Sequence, residues 1–249
     1  MKIRQKQSRK LYEFWNCSRC LLRYIQWFPF LALSLLSNAL YYYLSMQSVG
    51  SILTSSKVMH YYYSCYPHSN LIRIITFYII TFLPSLFGLR FLDSKICAEY
   101  YVVRLSSTRI FVLSKIFCTM LLSISGVAIR VLLFLIGTGI FDNLNFDTIA
   151  QATKIFLFLT ITFVTFNLLI FLFYSITNHA TVTFVSFTIL LFYSLCFNKS
   201  ILMFWLYGLN AYYWTSATVC ADLLLLLIII VTLLLKPYNV LTREDDKNE

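Results

Sequence analysis

Charge and backbone punctuation are what this sequence has least of. Only 12% of its 249 residues are charged, ten of those are acidic, and it holds six glycines, four prolines and three histidines. So few charged groups cannot cover the surface of a water-soluble domain this long. The shortage of glycine and proline argues against a turn-rich, many-stranded fold and for a few long helices. There is no G-x-x-x-x-G-K-[ST] loop, no G-x-G-x-x-G, no H-E-x-x-H and no G-x-S-x-G. Phosphate-loop ATP hydrolysis, dinucleotide binding, zinc proteolysis and standard serine hydrolysis therefore find no support in this chain.

What is present is apolar, at 59% of residues, with a net charge of +10. A basic balance can signal nucleic acid, but here the Lys and Arg residues flank long apolar runs, as expected for anchoring at an anionic membrane face. No nucleic-acid partner is expected. The expected fold class is an all-α polytopic membrane protein. Crossing about 30 Å of hydrocarbon takes about 20 apolar residues as helix. Six runs qualify on that reading: Tyr24 to Ser45, Leu71 to Leu92, Ile110 to Leu135, Ile155 to Thr177, Ala180 to Phe197 and Ser216 to Leu235. They divide the chain into a cytoplasmic or interfacial segment at 1–23, a six-span domain at 24–235 and a cytoplasmic tail at 236–249.

Orientation follows from the basic residues. With the amino terminus inside, fifteen Lys and Arg lie on the cytoplasmic side and four on the outer side, which satisfies the positive-inside rule. Both termini then face the cytoplasm. The first apolar run is longer than the core of a secretory signal and lacks a cleavage pattern, so it is expected to be retained. Within 9–25, Leu11, Phe14, Trp15, Leu21, Leu22 and Ile25 recur at helical spacing. That pattern predicts an amphipathic interfacial helix against membrane lipid.

The polar segment between the second and third spans, Asp93 to Lys115, reads as a surface helix turning into a span. Ile96, Tyr100 and Val103 follow a helical period, and Ser106, Ser107 and Thr108 offer hydroxyls to cap the helix that begins beside Arg109. Two charges fall inside spans. Arg130 and Asp222 each lie about seven residues from an outer end, so both sit about 10 Å deep. Ionised groups at that depth cost about 2.5–3.5 kcal/mol on insertion scales. An ion pair between them, as a packing clamp or in a polar path, is the expectation. Pro84 sits well inside the second span and predicts a kink, either a packing bend or the lining of a pathway.

Other chemistry is thin. Seven cysteines are scattered without a disulfide framework, and Cys17-x-x-Cys20 lacks a second pair for a metal. His60, Cys65 and His68 form a loose set without ligand spacing, and His179 beside Asn178 reads as a turn residue. No catalytic, cofactor-binding or metal-ligating residue is assigned.

Glu99, then Arg104-Leu105-Ser106-Ser107-Thr108-Arg109, then Lys115 opening a span, is similar to a segment of the type-2 ATP-binding-cassette (ABC) exporter permeases. There an acidic residue precedes a short helix, a Ser/Arg-rich turn and a basic residue, and glycine is common where Ser114 stands here. Six spans, internal termini and an amphipathic amino-terminal helix resemble the same family, and the chain's size resembles small bacteriocin- or lantibiotic-associated permeases. The resemblance implies that Glu99, Tyr100, Val103, Arg104 and Arg109 couple to a separate ABC ATPase subunit, which holds the ATP and magnesium. It implies a second permease subunit, the same or related, and a peptide or other amphipathic cargo exported from a bacterial cell membrane. The alternatives from other classes are a non-transporting immunity or assembly protein and a membrane-embedded peptidase.

Overall fold

A computed structural model of the chain describes residues 2–49, 71–92, 107–141, 146–177, 179–196 and 215–235. Those residues are helical almost throughout, with no strand among them. The helices are α1 (Lys2–Tyr24), α2 (Trp27–Val49), α3 (Leu71–Leu92), α4 (Thr108–Phe141), α5 (Phe146–Thr177), α6 (Ala180–Cys196) and α7 (Ser216–Leu235).

Three stretches are long and apolar enough to cross a membrane: Arg109–Gly137 in α4, Ala152–Thr177 in α5 and Ser216–Leu235 in α7. A fourth arises if α1 and α2, bent by 64° at their junction, count as one broken span. This is consistent with a membrane protein, and among the described residues it accounts for three or four of the six spans the apolar runs predict. α3 adds a shorter apolar stretch at Ile75–Gly88, and α6 has 17 residues.

The α1–α2 corner is made by side chains. The Ile25 amide donates to Leu22 O at 3.3 Å, closing a tight last turn, and the Trp27 indole Nε1 also donates to Leu22 O, at 2.9 Å. That carbonyl lies past the helix's own donors, so the indole supplies what an ending helix lacks. α2 then restarts with Gln26 O accepting from the Phe30 amide at 3.1 Å. Pro29 falls in its first turn, where a missing N–H costs nothing. The apolar run expected to start at Tyr24 is therefore divided, with Tyr24 ending α1 and a new helix beginning at Trp27.

α4 and α5 form the axis of the bundle. α4 packs against α1, α2, α3, α5 and α7, and α5 against α3, α4, α6 and α7. Aromatic edges knit the centre: Phe82 meets both Phe166 and Phe184 at 5.7 Å between ring centroids, and Phe166 meets Phe187 at 5.6 Å. Such edge-to-face pairs add to the gain from burial. Pro84 lies inside α3, which runs as one helix from Leu71 to Leu92. Its ring faces α4, where a Cβ on Gly126 would meet Pro84 Cγ at 3.6 Å. The small residue there lets the two helices approach closely.

Outward faces are apolar. Leu224, Leu227, Ile228 and Leu235 on α7 and Leu36 on α2 are exposed, which suits a hydrocarbon solvent and would be costly in water. The structure thus places polar groups in the interior and leucines outside, the arrangement expected of helices packed within lipid.

Candidate functional site

Three clusters of buried polar groups lie between helices. The first lies between α2, α3 and α4. Arg73 on α3 and Arg130 on α4 are among the largest fully buried side chains, at 1% and 0% exposure, and both lie against Tyr41 of α2. The Arg73 guanidinium donates to the Tyr41 hydroxyl at 3.1 Å, and its carbon stands 5.0 Å from the Tyr41 ring centroid. Arg130 sits 4.7 Å from the same centroid and 5.2 Å from that of Phe77. A desolvated guanidinium over an aromatic face gains about 2 kcal/mol. One tyrosine ring therefore holds two cations and ties three helices together.

The second place is the contact of α5 with α7. Thr162 donates its hydroxyl to Asp222 Oδ2 at 3.1 Å, and Asp222 is 3% exposed. The third lies between α3 and α5, where Ser85 donates to Asn167 Oδ1, and Asn167 in turn donates to Phe163 O at 2.8 Å. Lys115, also buried, holds its Nζ 4.2 Å from the Phe111 ring centroid near the start of α4.

The start of α4 is built as its hydroxyls suggest. Ser107 accepts from the Arg109 amide through Oγ at 3.3 Å and from the Ile110 amide through its carbonyl at 3.1 Å. This is an N-cap. α1 docks on the first turns of α4: Phe14 and Trp15 meet the Phe117 ring at 5.7 and 5.8 Å, and Ser114 Oγ donates to Phe14 O at 3.4 Å. Cys17, Leu21, Phe111 and Cys118 close the contact as one buried cluster, and Cys17 and Cys118 are free thiols.

Of the residues singled out in the sequence, Glu99, Tyr100, Val103 and Arg104 lie outside the described residues. Arg109 is the second residue of α4 and is exposed. Arg130 and Asp222 are both buried at helix contacts, yet they take different partners: Asp222 bonds Thr162, while Arg130 lies on Tyr41 and Phe77. The expected ion pair between them is therefore not what this arrangement holds. The reason is rotational, since equal depth says nothing of which neighbour a helix face meets.

Sequence reasoning missed Tyr41, Arg73, Thr162 and Asn167. Arg73 was counted with the flanking cations because it is the third residue of its span, and Tyr41 was one of three consecutive tyrosines. Thr162 lies three residues before Thr165 on one face of α5, a spacing that carries a signal only once Asp222 is known to face it. Comparison with models of protein families, with curated proteins and with solved structures returned no match.

Proposed function

We propose that this chain is the permease subunit of an ABC exporter, moving a peptide or other amphipathic cargo with energy from a separate ATPase subunit. In this reading all of α2 to α7 cross a cell membrane, giving six spans with both termini cytoplasmic. Spans too short or too polar to insert alone are sheltered by α4 and α5 and by a second permease subunit. The 93–109 connection then faces the ATPase, which supplies the bound ATP and magnesium.

The observation that carries the reading is the unit formed by α1 and the first turns of α4. The polar connection that bears Glu99 and Arg104 leads directly into a capped helix of 34 residues, to which α1 is fastened by Phe14, Trp15 and Phe117. A push on the connection is received by a rigid element, as a coupling device requires. Polar residues gathered inside a bundle of apolar helices support the same reading, because ionisable groups at membrane depth mark functional paths.

The test is a mild-detergent pull-down of the tagged chain from its native membrane with mass spectrometry and an ATPase assay. A stoichiometric Walker-motif protein, lost when Glu99 and Arg104 are replaced together, is the expected result. Recovery of the chain alone without ATPase activity would sink the reading and leave a self-contained immunity protein as the better one.

A further inference from the structure

Several interior hydroxyls in this bundle share one habit. Thr76, Thr81, Ser114, Thr119 and Ser123 each donate to the carbonyl four residues earlier, at 2.7 to 3.0 Å. Back-bonding of this kind is how a helix satisfies a hydroxyl where water is absent. On α5 the habit breaks. Thr162, 2% exposed, donates to Asp222 of α7 instead. Thr165, 1% exposed and one turn further along the same face, has a hydroxyl with no hydrogen-bond partner. Asp222 Oδ1 has none either, although the residue is 97% enclosed.

A carboxylate so placed, with one hydroxyl donor, is costly in hydrocarbon unless a proton neutralises it or a cation meets it. Arg130, the candidate from the sequence, is engaged with Tyr41 and Phe77. The acceptors at the site narrow the class of cation. An alkaline-earth ion asks for six or more oxygens, and one carboxylate with two hydroxyls falls short. A guanidinium prefers both oxygens of a carboxylate, and Oδ2 is already held by Thr162. A primary ammonium has three donors and no acceptor. Asp222 Oδ1 and the lone pairs of Thr162 and Thr165 match it in number and sign.

We propose that Asp222, Thr162 and Thr165 form an intramembrane site for a primary ammonium group carried on an aliphatic stem. Asp222 is the seventh residue of α7, about 9 Å along the helix, so the charge must be delivered by a chain of several methylenes. Long-stemmed amines place an apolar shaft and a charged tip in that way. The amine belongs to a non-lipid molecule such as one bearing a lysine side chain, since an ethanolamine lipid headgroup has only two methylenes between its amine and its phosphate. The inference concerns binding by this chain alone and does not rest on the transport reading.

The experiment titrates n-hexylammonium into the purified full chain in phosphatidylcholine nanodiscs, followed by saturation-transfer NMR. Saturable binding is expected, weakened about tenfold or more by Asp222→Asn, the loss typical of a charge-assisted bond. Thr165→Val, which keeps shape, should weaken it several-fold and carries the test if the Asn variant fails to fold. With ethanolamine lipid in the nanodiscs, an unchanged hexylammonium affinity is expected, and a fall in that affinity would overturn the requirement for a long stem. Binding that is equal in parent and variants, or that sodium chloride displaces as well as an amine does, overturns the proposal.

Discussion

The two halves of α4 are fastened by opposite means. Near its start, α1 is held by rings and thiols: Phe14, Trp15, Phe117, Cys17 and Cys118, with two weak polar contacts to the α1 backbone from Ser114 and Cys118. In its later half, Arg130 joins Arg73 on the Tyr41 ring, so α2, α3 and α4 meet through buried charge. The contrast teaches where each kind of cohesion is usable. Rings tolerate small shifts at modest cost, and α1 retains exposed apolar side chains at Leu11, Tyr12 and Trp15, so its seat can adjust. A guanidinium that loses its ring or hydroxyl in a dry interior becomes a costly buried charge, so that end is held in one geometry.

The largest effect should come from Tyr41→Ala, which removes the ring both cations lie on. A loss of about 3–5 kcal/mol is expected, as for other large aromatic truncations, read from unfolding in mixed micelles of rising sodium dodecyl sulfate fraction. Tyr41→Phe keeps the ring and deletes the hydroxyl that accepts from Arg73, at about 1.5–3 kcal/mol. In a cycle with Arg73→Met the two losses should be strongly non-additive. Simple additivity would mean that the hydroxyl and the guanidinium do not act on each other. Phe117→Ala at the other end should cost about 1–2 kcal/mol, because its ring is only half-buried. The sharper readout there is faster tryptic cleavage at Arg19 and Arg23, which would show α1 lifting while the later half of α4 stays intact. Ser107→Ala should be smallest, at about 1 kcal/mol, seen as faster hydrogen exchange of the Arg109 amide and little change elsewhere.

Helix identity and several boundaries were legible from apolar runs. α3 and α7 have the limits expected, and α6 begins where expected. α4 and α5 are longer than their apolar segments, by six residues at the end of α4 and nine at the start of α5, because hydropathy reports where lipid is preferred and not where hydrogen bonding stops. Each of the six apolar runs coincides with a helix, but hydropathy marks candidate spans and says nothing of how each helix lies against its neighbours. The same limit governs the interior charges. Arg130 and Asp222 announce themselves as buried because nothing polar surrounds them in sequence, but their partners depend on how α2, α5 and α7 are rotated. Tyr41 and Thr162 acquire meaning only through those rotations. The coupling residues Glu99, Tyr100, Val103 and Arg104 rest on resemblance alone, and only the cap at Ser107 and the placement of Arg109 touch that segment.

The stretches of α4 and α7 long and apolar enough to cross a membrane are Arg109–Gly137 and Ser216–Leu235. Arg109 and Lys115 stand in the first turns of the α4 stretch, so its part beyond them, 116–137, measures about 33 Å as helix against about 30 Å for α7. Both suit a hydrocarbon layer of about 30 Å. Two neighbours in one bundle thus prefer the same membrane thickness, and the first turns of α4, where α1 is docked, fall at the headgroups. A bilayer much thicker or thinner should strain both helices together, so lipid chain length acts on the bundle as a whole and without any ligand.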